Sequence, residues 1–232
     1  MDAGGHCAWD DVSNSPLDPD MVRAARKEEL EEFRRYGVYK KVPIEKAWKE
    51  IGKGLIGVRW VDINKGDEVH PEYRSILVAQ EIKTDKREDL FAATPPLEAK
   101  KLLFMMCTWE DMAPGTRRAR RGMKLDFIDV RRAYFNAPAR RKVFIKLPPE
   151  DEEEGMCGEL VQAMYGTRDA AQNWEWEYSN FMMEIGFKRG VSTPCVFHHK
   201  ERNLRVVVHG DDFTVLGHSE QMDWFREEIS KI

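Results

Sequence analysis

Apolar and polar residues alternate along the chain with two distinct periods. Between Met21 and Tyr36, the residues Met21, Val22, Ala25, Leu30 and Phe33 fall at roughly helical spacing among charges, which predicts a surface helix closed by Gly37. The run LIGVRWV from Leu55 to Val61 predicts a strand and SILVA from Ser75 to Ala79 a second. The polar stretch between them holds Gly66 and Pro71, so the two read as a hairpin carrying Arg59, Lys65 and Arg74. Beyond Pro95 and Pro96, LEAKKLLFMMCTW predicts a largely buried helix from Leu97 to Trp109, with its methionine pair as core filler. KLDFIDV begins a strand at Lys124, and KVFIKLPP from Lys142 to Pro149 predicts a short strand ended by two prolines. From about Asp169 to Ile185 a helix carries Trp174, Tyr178, Phe181, Met182 and Ile185 on one stripe, a pattern that packing alone explains for most of them. CVFHH and LRVVV lead into VVVHGDDFTVLG, Val206 to Gly217, and a last helix begins near Ser219, a fair N-cap. Residues 1–20 are polar, hold Pro16 and Pro19 and show no period, and so read as a loose segment. Strands interrupted by helices, with hairpins instead of βαβ alternation, predict an α+β fold with a mainly antiparallel sheet.

Composition narrows the class. A 232-residue chain that is 42% apolar can bury an ordinary core in one or two closely joined subdomains. Cys7, Cys107, Cys157 and Cys195 form no C-x-x-C pair, which argues against a disulfide framework or zinc ribbon and for a reducing, intracellular setting, cytoplasmic or nuclear. No apolar run approaches a membrane span, and the acidic start MDAGGHCAWDD is not a secretory signal; a secreted or membrane protein is not expected. The net charge of -4 speaks against a dedicated, strongly basic nucleic-acid binder. Local charge is segregated: TRRARR from Thr116 to Arg121, EDEEE from Glu150 to Glu154. Either run alone reads as a solvated loop; the basic one could meet phosphates if nucleic acid lies nearby.

The candidate chemistry lies in the acids. Asp211 and Asp212 sit between two apolar runs in His-Gly-Asp-Asp, which by itself is turn chemistry and describes a β-hairpin with a polar tip. Asp126 and Asp129 are three residues apart in KLDFIDV, so a strand puts them on opposite faces and at most one can line a given cleft. Asp129 stands where the strand pattern gives out. If it sits beside the tip, three carboxylates converge, and like charges at about 4 Å repel by roughly 4 kcal/mol at an effective dielectric of 20. Such a cluster is tolerable protonated or holding cations, and carboxylate oxygens with substrate phosphates are what Mg2+ takes in two-metal phosphoryl transfer.

These residues resemble a known family. DVRRAY from Asp129 to Tyr134, VFIKLPP, MYGTRDAAQNWEWEY from Met164 to Tyr178, and the HGDD hairpin resemble, in order, blocks of the copia-type retrotransposon reverse transcriptase. Upstream, ARKEELEEFRRYGVYKKVP resembles its leading helix and strand, and GVRWVDI with YRSILVAQ its fingers hairpin; GFKRGVSTPCVFHHK resembles the segment before the catalytic hairpin. The likeness covers roughly residues 21–232. It implies a reverse-transcriptase-like palm, about residues 122–232, and fingers, about residues 21–110, with thumb and ribonuclease H absent. It further implies that Asp129 and Asp211 hold two Mg2+ ions with Asp212 completing the cluster, and that Tyr134 packs under the sugar and excludes a 2'-hydroxyl. Arg74 and Lys65 would face phosphates, and Gly166 and Arg168 would border the nucleotide. His209, with Arg117, Arg118, Arg120 and Arg121, would meet nucleic acid. The implied partners are an RNA or DNA template-primer, deoxynucleoside triphosphates, and the rest of a polyprotein carrying ribonuclease H and integrase; no membrane is implied.

The chain departs from the family pattern at a few places. His209-Gly210 stands where the family has an aromatic and a second residue before the paired acids, and Gly210 should loosen the tip. Asp169-Ala170-Ala171 replaces a Gln-Ala-Pro run and adds a negative charge where phosphates approach, while Ile76 stands where the family often carries Arg. Two other readings stay open: a catalytically inactive, truncated relic retaining at most nucleic-acid binding, and an unrelated Mg2+ phosphoryl-transfer enzyme sharing only the acidic trio.

Overall fold

The computed structural model describes residues 8–52, 54–67, 69–82, 92–108 and 122–232, and the chain divides into two units, Met1–Arg87 with Ala137–Ala170 and Glu88–Asn136 with Ala171–Ile232.

In the first unit, helix α1 (Pro19–Tyr36) starts earlier than its apolar period suggests, because Asp18 caps it: its carboxylate accepts from the Asp20 and Met21 N–H groups at 2.8 and 3.1 Å. Gly37, at φ 61°, ends it as expected. The helix buries Val22, Leu30 and Phe33 and packs on β5 (Tyr73–Ala79), which pairs antiparallel with β4 (Val58–Asn64) in the expected hairpin. The described part of residues 1–20 is not loose. Strands β1 (Ala8–Trp9) and β2 (Pro16–Leu17) form a small hairpin, tied down by Asp10, which accepts from the backbone of Val12, Ser13 and Asn64 at 2.7–2.8 Å. Those three donors place the Asp10 pKa at about 2. Short aspartate-held turns carry no hydrophobic period, so the pattern could not show them.

A three-stranded sheet, β3 (Tyr39–Pro43), β8 (Met156–Leu160) and β7 (Phe144–Ile145), completes this unit with helix α2 (Ile44–Ile51). Neither α2 nor β8 was expected. A Cβ on Gly158, in the middle of β8, would sit 2.9 Å from the Ile145 side chain, so the residue that weakens the strand signal is the one the close packing needs. The acidic run also differs from expectation. Glu150 ion-pairs Arg26 at 3.0 Å and accepts from the Trp60 indole at 2.9 Å, while Asp151 takes Arg34 at 2.9 Å and the Tyr39 hydroxyl at 2.6 Å. Burial works to raise the Asp151 pKa, but the hydrogen bonds from Tyr39 and Arg34 and the charge on Lys41 outweigh it, and the carboxyl lies below its ordinary value. Part of EDEEE is therefore a clamp on α1, not a solvated loop.

The second unit is built on a five-stranded antiparallel sheet in the order β6 (Met123–Asp129), β12 (Asp212–His218), β11 (Leu204–His209), β10 (Val196–His199), β9 (Lys188–Arg189). On one face Met123, Val207 and Leu216 pack with Leu103 of α3 (Leu97–Thr108). That helix is less buried than expected: Leu97, Leu102, Phe104 and Met105 are exposed, so its methionines are not core filler as a pair. Phe213 lies three residues from Leu216 and so on the other face. There Tyr178 of α4 (Ala170–Glu184) meets Phe213 edge-on at 5.6 Å, and Phe225 of α5 (Ser219–Ile229) meets Phe187 at 5.5 Å. Ser219 is the first residue of α5, with His218 before it as N-cap, making no side-chain cap bond. The architecture is thus a mixture of helices and antiparallel sheets, as the α+β pattern indicates. Among the described residues no helix is long and apolar enough to cross a membrane, and Cys107, Cys157 and Cys195 are free thiols.

Candidate active site at the hairpin tip

Strands β11 and β12 are joined through Gly210 and Asp211, with His209 opposite Asp212. Gly210 has φ 65°, while Asp211 is not among the residues with positive φ. That is the signature of a type II' turn, whose first central position calls for glycine. Gly210 therefore does not loosen the tip; it is the residue that lets the tip close this tightly.

Strand β6 runs beside β12, and the register sets Asp129 directly opposite Asp212. One step outward, the Val130 N–H donates to the Asp211 carbonyl at 3.0 Å. Asp129 and Asp212 are consequently a non-hydrogen-bonded pair, the closer of the two kinds, with side chains on one face of the sheet. His209, Asp212 and Asp129 form one row across three strands, and Asp211 occupies the turn beside it. All four are exposed.

The parity expected from the sequence holds. Asp126, three residues before Asp129, is buried on the other face and accepts two hydrogen bonds from Arg226, at 2.6 and 2.7 Å. No ion pair or hydrogen bond from the described residues engages the carboxylates of Asp129, Asp211 or Asp212. Exposed carboxylates held at the ends of two strands and in the adjoining turn are hard oxygen donors of the kind divalent cations prefer. Among the described residues no three such side chains are already arranged to hold a metal ion.

After β6 the chain turns through Arg132, buried with φ 53°, into a single 3-10 turn, Ala133–Asn136. This turn presents Tyr134 half-buried. Burial first, and then the negative charge on Asp211, raise the Tyr134 pKa, which places its ring within the field of the tip.

One contributor was hidden from the sequence. Trp174, read as part of a packing stripe, is buried as expected, yet its indole N–H donates to the Gly210 carbonyl at 2.9 Å. A stripe identifies the buried face of a helix but not the polar atom at the end of a ring.

Lys65, Arg74, Gly166 and Arg168 belong to the first unit. Lys65 and Arg74 are exposed at the turn end of the β4–β5 hairpin. Gly166 has a backbone role: at φ 84°, a Cβ would stand 1.9 Å from the Ala79 carbonyl oxygen. Arg168 is half-buried, its N–H donating to Glu81 at 2.8 Å, and with Arg141, Lys142 and Leu55 it lines a cavity of about 620 Å³. Asp169, expected to repel phosphates, is buried and ion-paired with Arg141 at 2.8 Å, so its charge is compensated. Arg117, Arg118, Arg120 and Arg121 lie outside the described residues.

Comparison with known proteins identifies the family. Residues 36–231 match the family model described as reverse transcriptase (RNA-dependent DNA polymerase). The retrovirus-related Pol polyprotein from transposon TNT 1-94 of Nicotiana tabacum is 22% identical over 85% of this chain, and that from transposon RE1 of Arabidopsis thaliana 24% over 70%. The chain spans 14% and 11% of the length of those two relatives. Members of the matched family generally use a divalent metal. With the family model covering most of its length, including both strands that carry the facing aspartates, the chain belongs to the reverse transcriptase (RNA-dependent DNA polymerase) family, of the kind found in copia-type retrotransposon Pol polyproteins.

Proposed function

We propose that this chain is the fingers and palm of an RNA-directed DNA polymerase and that Asp129, Asp211 and Asp212 are its catalytic carboxylates. The observation that carries the reading is the register: Asp129 faces Asp212 across adjacent strands, with Asp211 in the adjoining turn. Asp129 and Asp211 would hold two Mg2+ ions and Asp212 would complete the acidic cluster, the exposed side chains converging by rotation about χ1. Bound there, the ions supply a lowered pKa at the primer 3'-hydroxyl and charge compensation on the triphosphate. The hydroxyl attacks the α-phosphorus in line, a new phosphodiester bond forms, and pyrophosphate leaves. Tyr134, half-buried between the buried Ala133 and Phe135 in sequence, would present its ring to a 2'-hydroxyl and select deoxynucleotides by steric exclusion. Arg74 and Lys65 are the candidate phosphate contacts of the fingers, and Gly166 serves by letting Tyr165 and Ala79 approach, their backbones bonded at 2.7 Å. The partners would be a template-primer, deoxynucleotides and the remainder of a Pol polyprotein.

The alternative is a catalytically inactive relic that retains at most nucleic-acid binding. Primer extension on poly(rA)/oligo(dT) with Mg2+ separates the two. Incorporation by the wild type and its loss in Asp211→Asn support the polymerase. Equal incorporation by both proteins, or none by either, sinks it.

A further inference from the structure

We propose that Trp174 is a positioning residue: its indole N–H fixes the Gly210–Asp211 peptide in one of two orientations and thereby sets the direction of the Asp211 carboxylate. The inference rests on the reading of Asp211 as a metal ligand, but its structural content does not.

Type I' and II' turns share φ > 0 at the first central residue and differ in the plane of the central peptide; only type I' also needs φ > 0 at the second. In the turn between His209 and Asp212 that central peptide joins Gly210 to Asp211. Glycine at the first central position tolerates either orientation, and aspartate is among the few other residues that enter the left-handed region without large cost. Local sterics therefore favour the type II' state but leave the flipped type I' state accessible. Flipping the plane rotates the Asp211 N–H and its Cα substituents and carries the carboxylate away from the row formed by Asp212 and Asp129.

Trp174 decides between the two. Its indole donates to the Gly210 carbonyl at 2.9 Å, and that oxygen lies in the plane that would flip. The indole itself has no freedom to follow. Trp174 is 1% exposed, Tyr178 packs against its ring at 5.5 Å, and Tyr178 in turn meets Phe213 at 5.6 Å and Phe197 at 6.0 Å. The donor is thus anchored to the sheet that carries the acids, and a flip would break its bond while leaving the buried N–H unsatisfied.

The test compares wild type with Trp174→Phe, which keeps an aromatic ring and deletes the donor. In metal-free protein, 15N relaxation dispersion at the Asp211 and Asp212 amides should appear or increase in the variant. The amide of Val206, in the interior strand β11, should stay unchanged. Loss of one hydrogen bond shifts the ratio of the two turn states by about three- to tenfold, and the dissociation constant for Mn2+ should rise in inverse proportion to the fraction left in the competent state, hence by less than that factor. If Trp174→Phe does not fold, replacing the indole by its benzothiophene isostere removes the same donor at constant shape and must give the same result. Unchanged dispersion at Asp211 in a folded variant overturns the proposal. A wild type that shows the dispersion difference but binds no Mn2+ instead counts against the metal-site reading and leaves the turn lock standing.

Discussion

Replacing Asp129 by Asn should make the protein more stable while abolishing its proposed activity. Asp129 and Asp212 face each other as a non-hydrogen-bonded pair, for which Cβ atoms are about 5 Å apart. Two unit charges at roughly that separation repel by about 0.8 kcal/mol in water and about 3 kcal/mol at an effective dielectric of 20. Both residues are exposed, so the lower figure governs, in line with the cost of up to about 1 kcal/mol for like charges facing across strands. Asp129→Asn removes that repulsion without changing side-chain size, and its melting temperature should rise by about 2–4 °C at low ionic strength, the shift expected for about 1 kcal/mol in a chain of this length. In about 1 M salt, where the screening length falls to about 3 Å, the gain should vanish. Added Mg2+ should stabilise the wild type more than the variant. Asp126→Asn is the control with opposite sign: it weakens a charge-assisted pair with Arg226 and should cost about 2 kcal/mol. Thermal denaturation with and without 10 mM Mg2+ reads all of this. A loss of stability in Asp129→Asn comparable to that in Asp126→Asn would refute the electrostatic account of the tip.

Other parts of the structure give sharper or simpler outcomes. Gly166→Ala should lower the urea midpoint by the equivalent of about 2 kcal/mol or more, because φ is 84° and the new Cβ meets the Ala79 carbonyl at 1.9 Å. Arg26→Ala removes the cation held at 2.6 Å from the buried Asp62, leaving its Ser75 hydroxyl bond, and should cost about 3 kcal/mol in equilibrium unfolding. The Asp10 pKa is depressed to about 2 in the folded state, below its ordinary 3.8, so the stability it contributes is complete above about pH 4 and lost as pH falls through 2. The stability difference between wild type and Asp10→Asn should accordingly be flat above pH 4 and shrink towards pH 2.

The readable parts of the fold were those with a period or a punctuating residue. Helix α1 ended at Gly37, and the strand pairs around the hairpins followed from their alternation and turns. Strand parity separated Asp126 from Asp129 correctly, since a two-residue repeat needs no tertiary information. What stayed illegible depended on partners far away in sequence. Glu150 and Asp151 looked solvated because Arg26 and Arg34 lie well over a hundred residues earlier. The compensation of Asp169 by Arg141 was hidden over a shorter span, because β7 and β8 lie between the two in sequence. Gly210 misled for a different reason: a glycine in a strand pattern weakens the strand, but the same residue at the first central position of a II' turn is what the turn requires. A place for Asp129 beside the hairpin tip was considered from the sequence, but its register opposite Asp212 was not derivable from hydrophobic pattern alone.

The central claim, that Asp129 and Asp211 share divalent ions beside Asp212, is tested most directly by Mn2+ anomalous scattering from crystals grown with template-primer and a deoxynucleotide. The account predicts two peaks about 3.5–4 Å apart, one or both contacting carboxylate oxygens of Asp129 and Asp211. Peaks elsewhere only, or peaks at the hairpin none of which touches Asp129, would contradict it.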